Sequence, residues 1–157
     1  MEHAHARRHA AGASLNRTAL AATLHCLTGC AIGEVLGLVI GTAAGLSNAA
    51  TIALAVGLAF AFGYSFTLTP LLRGGLSFRA ALGVALAADT LSIAVMEIVD
   101  NAAVVAVPGA MDAGLAAGLF WATLALALAL AFVAAFPLNR WLIGRGRGHA
   151  VAHAFHR

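Results

Sequence analysis

Residues Ala19–Leu46 read ALAATLHCLTGCAIGEVLGLVIGTAAGL, with Glu34 the single Asp, Glu, Lys or Arg among them. A helix rises about 1.5 Å per residue, so a run of this length crosses the ~30 Å hydrocarbon core of a bilayer. Three further apolar runs, Ala49–Leu72, Phe78–Val99 and Ala113–Phe136, have comparable lengths. Together they predict an all-α fold, a polytopic four-helix transmembrane bundle. They are too long and too continuously apolar for the short alternating strands of a β-barrel. Hydrophobic residues make up 62% of the 157-residue chain and charged residues 10%, with a mean hydropathy of +0.93. That composition excludes an ordinary soluble domain.

All nine basic residues are arginine, at Arg7, Arg8, Arg17, Arg73, Arg79, Arg140, Arg145, Arg147 and Arg157. The connections Ser47–Asn48 and Asp100–Asp112 carry none. By the positive-inside rule both termini and the Arg73–Arg79 loop are cytoplasmic and the other two loops external, as in a multi-pass protein of an inner (plasma) membrane. The chain divides into a His/Arg-rich cytoplasmic tail (1–17), a four-span membrane domain (18–143) and a second Arg/His-rich cytoplasmic tail (144–157). Span one is too long for the core of a cleaved signal peptide. The sequence pI near 9.7 does not point to nucleic acid, because arginines flanking spans serve as topology signals and contacts to anionic lipid. Gly74-Gly75 predicts a tight turn, Pro108-Gly109 a break before span four, and Pro70 and Pro137 sit near span ends, where a lost helix hydrogen bond costs least.

Gly29, Gly33, Gly37, Gly41 and Gly45 recur every fourth residue and make one bare strip on span one, with His25 at its cytoplasmic end. Such strips let another backbone approach closely, favouring packing within the chain or a homo-oligomer. A sharper alternative is that bare backbone lines a narrow ion path.

The adjacent strip holds Cys26, Cys30 and Glu34, again four residues apart. On span three, Asp89, Glu97 and Asn101 share one row and Ser92, Met96 and Asp100 the next. Running both spans from their cytoplasmic ends puts Cys30, Glu34 and Asp89 at similar depth, so spans one and three are expected to build one polar site. Ionisable groups at that depth are costly and mark functional sites. With every arginine at or beyond a cytoplasmic end, the carboxylates there must be protonated, hydrated or balanced by a cation.

Three functions fit. The first is binding or transport of a transition-metal cation, copper or zinc, with Cys26, Cys30, His25 and Met96 as soft or borderline ligands and Glu34, Asp89 and Glu97 compensating charge; Ser92 and Asn101 would support the site. The terminal His3, His5, His9, His149, His153 and His156 offer further metal-binding groups. The second is a proton or alkali-cation pathway along the carboxylates, with the cysteines incidental. The third is a non-transporting membrane subunit or scaffold. An enzyme is not expected: no phosphate-binding loop or serine nucleophile with a histidine at matching depth is present, and thiols at i,i+4 suit a disulfide poorly. Expected partners are the lipid bilayer, further copies of the chain, and a metal cation or proton, with no nucleic acid. Trp141 beside Arg140 reads as an interface anchor, and Phe120-Trp121 as helix packing.

The motifs H-C-x-x-G-C-x-x-G-E (His25–Glu34) and D-T-x-S-I-x-x-M-E-x-x-x-N (Asp89–Asn101), followed by F-W and P-x-N-R-W, resemble a family of small bacterial membrane proteins catalogued as a domain of unknown function. The likeness covers Leu24–Gly148. It implies a four-span membrane domain with a shared polar site and supplies no chemistry.

Overall fold

The computed structural model describes the backbone of residues 2–145 and the side chains of residues 13–145. The six tail histidines and Arg7, Arg8, Arg147 and Arg157 lie outside the described side chains. Four helices make the fold: α1 (Glu2–Ala43), α2 (Asn48–Arg73), α3 (Phe78–Ala106) and α4 (Gly118–Gly144). Each contains a stretch long and apolar enough to cross a membrane. The described residues contain no strand, so the expected all-α four-helix bundle is the fold. Consecutive helices pack side by side, α4 closes against α1, and α1 meets α3 across the centre.

Two turns are built alike. Past α1, Leu46 N–H donates to Gly41 O (2.9 Å) and Gly45 N–H to Thr42 O (3.2 Å); past α2, Leu76 N–H donates to Leu71 O (3.2 Å) and Gly75 N–H to Leu72 O (3.0 Å). These are paired Schellman closures with glycine in the left-handed position, φ +64° at Gly45 and +89° at Gly75. A serine N-cap follows each, Ser47 and Ser77, so Gly-Leu-Ser is used twice as a helix-reversing unit. Gly45 therefore leaves the packing strip where it was expected: it closes the turn, and a Cβ there would meet nothing within 4 Å.

The other four glycines set the packing of α1 on α2. A Cβ on Gly29 would lie 2.8 Å from Gly63 Cα, one on Gly33 would overlap the Ala59 backbone, one on Gly37 would overlap Ala55, and one on Gly41 would strike the Thr51 side chain. The antiparallel register advances by four residues on both helices, joining the glycine strip to the buried strip Thr51, Ala55, Ala59, Gly63 and Thr67. In lipid, where apolar burial gives no drive between helices, this backbone contact supplies dispersion energy that larger residues would prevent. Of the uses expected for this strip, packing within the chain is the one found: α2 of the same chain covers it, which leaves no bare backbone there to line an ion path.

α3 turns Ala81, Ala85, Ala88, Asp89, Ser92, Ile93, Met96, Glu97 and Asp100 inward. α4 answers with a small-residue strip, Ala127, Ala131, Ala135 and Asn139. Asn139 Nδ2 donates to Thr23 Oγ1 (3.0 Å), which itself donates to Ala19 O (2.8 Å), tying α4 to α1. Arg140 Nε donates to Asn16 Oδ1 nearby, and the Arg145 guanidinium lies 4.2 Å from the Trp141 ring centroid. Trp141 is half exposed, with the Arg145 guanidinium over its ring. Arg17, Arg73, Arg79, Arg140 and Arg145 thus gather at one end of the bundle, fixed there by the up-down chain path.

Helix ends depart from the apolar runs: α1 begins at Glu2 and closes at Ala43, α4 runs past Phe136 to Gly144 with Pro137 inside it, and two further departures bear on the site. α3 continues past Val99 to Ala106, so Asp100 is not in a loop; its side chain is buried inside the bundle, and the helix stops at Val107, where the following Pro108 disfavours helical geometry. α4 begins at Gly118 instead of Ala113, because residues 110–117 wind in short turns, with Ala113 N–H donating to Ala110 O and Ala117 N–H to Gly114 O. Trp121 Nε1 donates to Leu115 O (2.9 Å) and holds those turns against α4, while Phe120 packs edge-on against it.

Candidate functional site

Parallel travel of α1 and α3 places their polar strips face to face. Near the arginine-bearing half, Cys26 Sγ donates to Asp89 Oδ1 at 3.9 Å, a long contact between two groups almost fully buried. Ser92 neighbours the same thiol. One turn further, the Cys30 thiol neighbours the Glu97 carboxyl. Another turn on, Glu34 faces Asp100, with Glu97 close to both. Thiols and carboxyls form a column that rises about 12 Å along α1 from Cys26 to Glu34.

The column extends toward the arginine end through α2. Thr67 neighbours Asp89, and its hydroxyl lies 3.3 Å from His25 Nε2. The His25 ring is half-buried and meets Phe66 edge-on at 5.6 Å between centroids. Thr67 occupies the place opposite His25 because the glycine register continues for one more step. At the other end the column opens into a cavity of about 130 Å³ whose lining includes Glu34, Asp100, Asn101, Thr51 and Thr123. Thr42, Leu46 and Asn48 form its exposed rim.

Around the thiols the interior is closed. Cys26, Cys30, Ala59, Ile93, Met96, Ala131 and Ala135 are each at most 1% exposed and make one packed cluster. The expected residues are thus partitioned. Cys26, Cys30, Glu34, Asp89, Glu97 and Ser92 stand together; Met96 packs beside the thiols; His25 faces α2; Asn101 donates to Glu97 O at 2.9 Å and lines the cavity. Among the described residues no three His, Cys, Asp or Glu side chains are grouped as they would be to hold a metal ion. Two participants lie outside the expected set of site residues. The row spacing puts Asp100 beside Ser92 and Met96, but the apolar run ends one residue before it and assigns it to the loop. Thr67 had no visible signal until its partner helix was known.

The unusual feature is polar burial without pairing. Within the described residues, both carboxylate oxygens of Glu34 and of Glu97, Ser92 Oγ and Asp100 Oδ1 are buried with no hydrogen-bond partner. Leaving such a group unmet costs about 1–3 kcal/mol, and more when charged, so several in one column are retained against a steady cost.

Four long apolar helices around an internal column of titratable side chains define a multi-pass membrane protein with an intramembrane polar site. The chain belongs to the DUF4396 family, a domain of unknown function, which it matches over residues 15–148. No curated protein and no solved structure matches it.

Proposed function

We propose that the protein moves protons across a bacterial inner membrane along the α1–α3 column, between the cavity at one end and His25 at the other. The observation carrying this reading is the row of buried, unpartnered carboxyl and hydroxyl oxygens on Glu34, Glu97, Asp100 and Ser92. Each is a group on which a proton can reside, and successive members neighbour one another through Cys30, Cys26 and Asp89 to Thr67. The packing around the thiols favours protons over hydrated cations, since a proton passes between adjoining groups without a pore. By the positive-inside rule the arginine end, with both termini, faces the cytoplasm and the cavity faces outward.

A second reading keeps the cysteines central. Cys26, Cys30 and Met96 bring three sulfur atoms into one buried cluster, a donor set suited to Cu(I), with Zn(II) served by the thiolates and a carboxylate. The two readings part at Cys26→Ser combined with Cys30→Ser. In liposomes carrying an internal pH dye and an imposed potassium diffusion potential, the proton reading expects this variant to keep most of the wild-type flux, because serine retains a hydroxyl donor and acceptor. Purified without a His-tag, wild type bearing near-stoichiometric copper or zinc that the variant loses, together with lost flux, would overturn the proton reading in favour of metal.

A further inference from the structure

The cavity above the column is more than a mouth. We infer that its floor, Glu34 with Asp100, binds an oxygen-preferring divalent cation of the Mg²⁺, Ca²⁺ or Mn²⁺ class. Both side chains are about 4% exposed, both line the cavity, and both Glu34 oxygens and Asp100 Oδ1 make no hydrogen bond of standard length and angle among the described residues, although the two carboxyls face each other closely enough to share a proton when no cation is bound. Two carboxylates facing each other in a low-dielectric wall repel when both are ionised, and one dication balances that charge where a monovalent ion leaves half of it unmet.

The surrounding donors are oxygens. Asn101, Thr51 and Thr123 line the cavity, whereas Cys30, the nearest thiol on α1, lies one helical turn deeper beside Glu97. That separates a hard site at the cavity floor from the sulfur-rich core below it. The volume of about 130 Å³ is several times the 10–15 Å³ or so that one water requires. A cation held by two carboxylates can therefore keep part of its hydration shell, as Mg²⁺ commonly does. The rim residues Thr42 and Asn48 are exposed, which gives the cation a route in from the end opposite the arginines.

This site shares two carboxylates with the proposed proton column but does not require conduction, and binding separates the two. Full-length protein in detergent, without an affinity tag, is titrated with Mn²⁺ and free Mn²⁺ is read by electron paramagnetic resonance. The expected result is one saturable Mn²⁺ per chain that Mg²⁺ or Ca²⁺ displaces. Glu34→Gln and Asp100→Asn, singly and together, are expected to weaken binding at least tenfold. Asp89→Asn, deeper in the column, is expected to retain binding while losing proton flux. Thermal unfolding with and without Mn²⁺ keeps the test sound if a variant folds poorly: the metal raises the wild-type midpoint through preferential binding to the folded state and leaves the double variant's midpoint unmoved. No saturable binding by wild type, or binding and a Mn²⁺-dependent midpoint that both survive the double replacement, would overturn the site. Lost proton flux in an otherwise Mn²⁺-competent wild type would instead count against the conduction reading alone.

Discussion

Gly33→Leu is expected to yield no folded protein, while Gly57→Ala on the facing helix folds as well as wild type. At Gly33 any added Cβ would overlap the Ala59 backbone, and backbone cannot rotate away as a side chain can. At Gly57 a Cβ would meet nothing within 4 Å. Inserting methylenes into a packed interface costs roughly 1–3 kcal/mol where side chains can shift, and more where they cannot, against total stabilities of about 5–15 kcal/mol. A leucine at Gly33 must push α1 and α2 apart along the whole strip, which also separates His25 from Thr67. Gly57→Ala removes a helix-interior glycine and gains up to about 1 kcal/mol. Size-exclusion profiles and thermal midpoints in detergent check both. A monodisperse Gly33→Leu protein with a wild-type midpoint would contradict the close α1–α2 contact.

Glu97→Gln is expected to reduce proton flux to the leak of empty liposomes, a fall of about two orders of magnitude for loss of a positioned acid–base group. Glu97 neighbours Cys30 on one side and Asp100 on the other, so it joins the two halves of the column. The amide of glutamine has nearly the same shape but neither ionises nor takes up a proton at physiological pH. Packing is kept and the relay is cut. Glu97→Asp, which retains the carboxyl on a shorter stem, is expected to recover part of the flux. Wild-type flux in Glu97→Gln, at equal protein incorporation, would remove Glu97 from the path.

The sequence made the helices and the polar strips legible because lipid imposes simple rules: long apolar runs, scarce charges, and arginines at one set of ends. Residues His25–Glu34 and Asp89–Asn101 announce two faces by spacing alone, and the structure sets them against each other. What spacing cannot reveal is the partner of a face. The glycine strip fits α2, α3 or another chain equally well until the small residues Thr51, Ala55, Ala59 and Gly63 are seen opposite it in antiparallel register. Asp100 was legible as a member of the Ser92–Met96 row, but its place inside the helix was not, for a different reason. A hydropathy window ends at a charge, yet α3 continues as helix because that charge points into the bundle beside Glu34. Gly45 shows the reverse: its spacing of four matches the strip, but the helix has already closed beneath it.

The central claim is that the column carries protons and no larger ion. It is tested most directly with wild-type protein in sealed liposomes, by recording internal pH and internal sodium and potassium together under an imposed voltage. The account expects internal pH to move well beyond the rate in protein-free liposomes while sodium and potassium stay at the protein-free rate. Internal pH moving no faster than in protein-free liposomes, or sodium or potassium moving along with it, would contradict it.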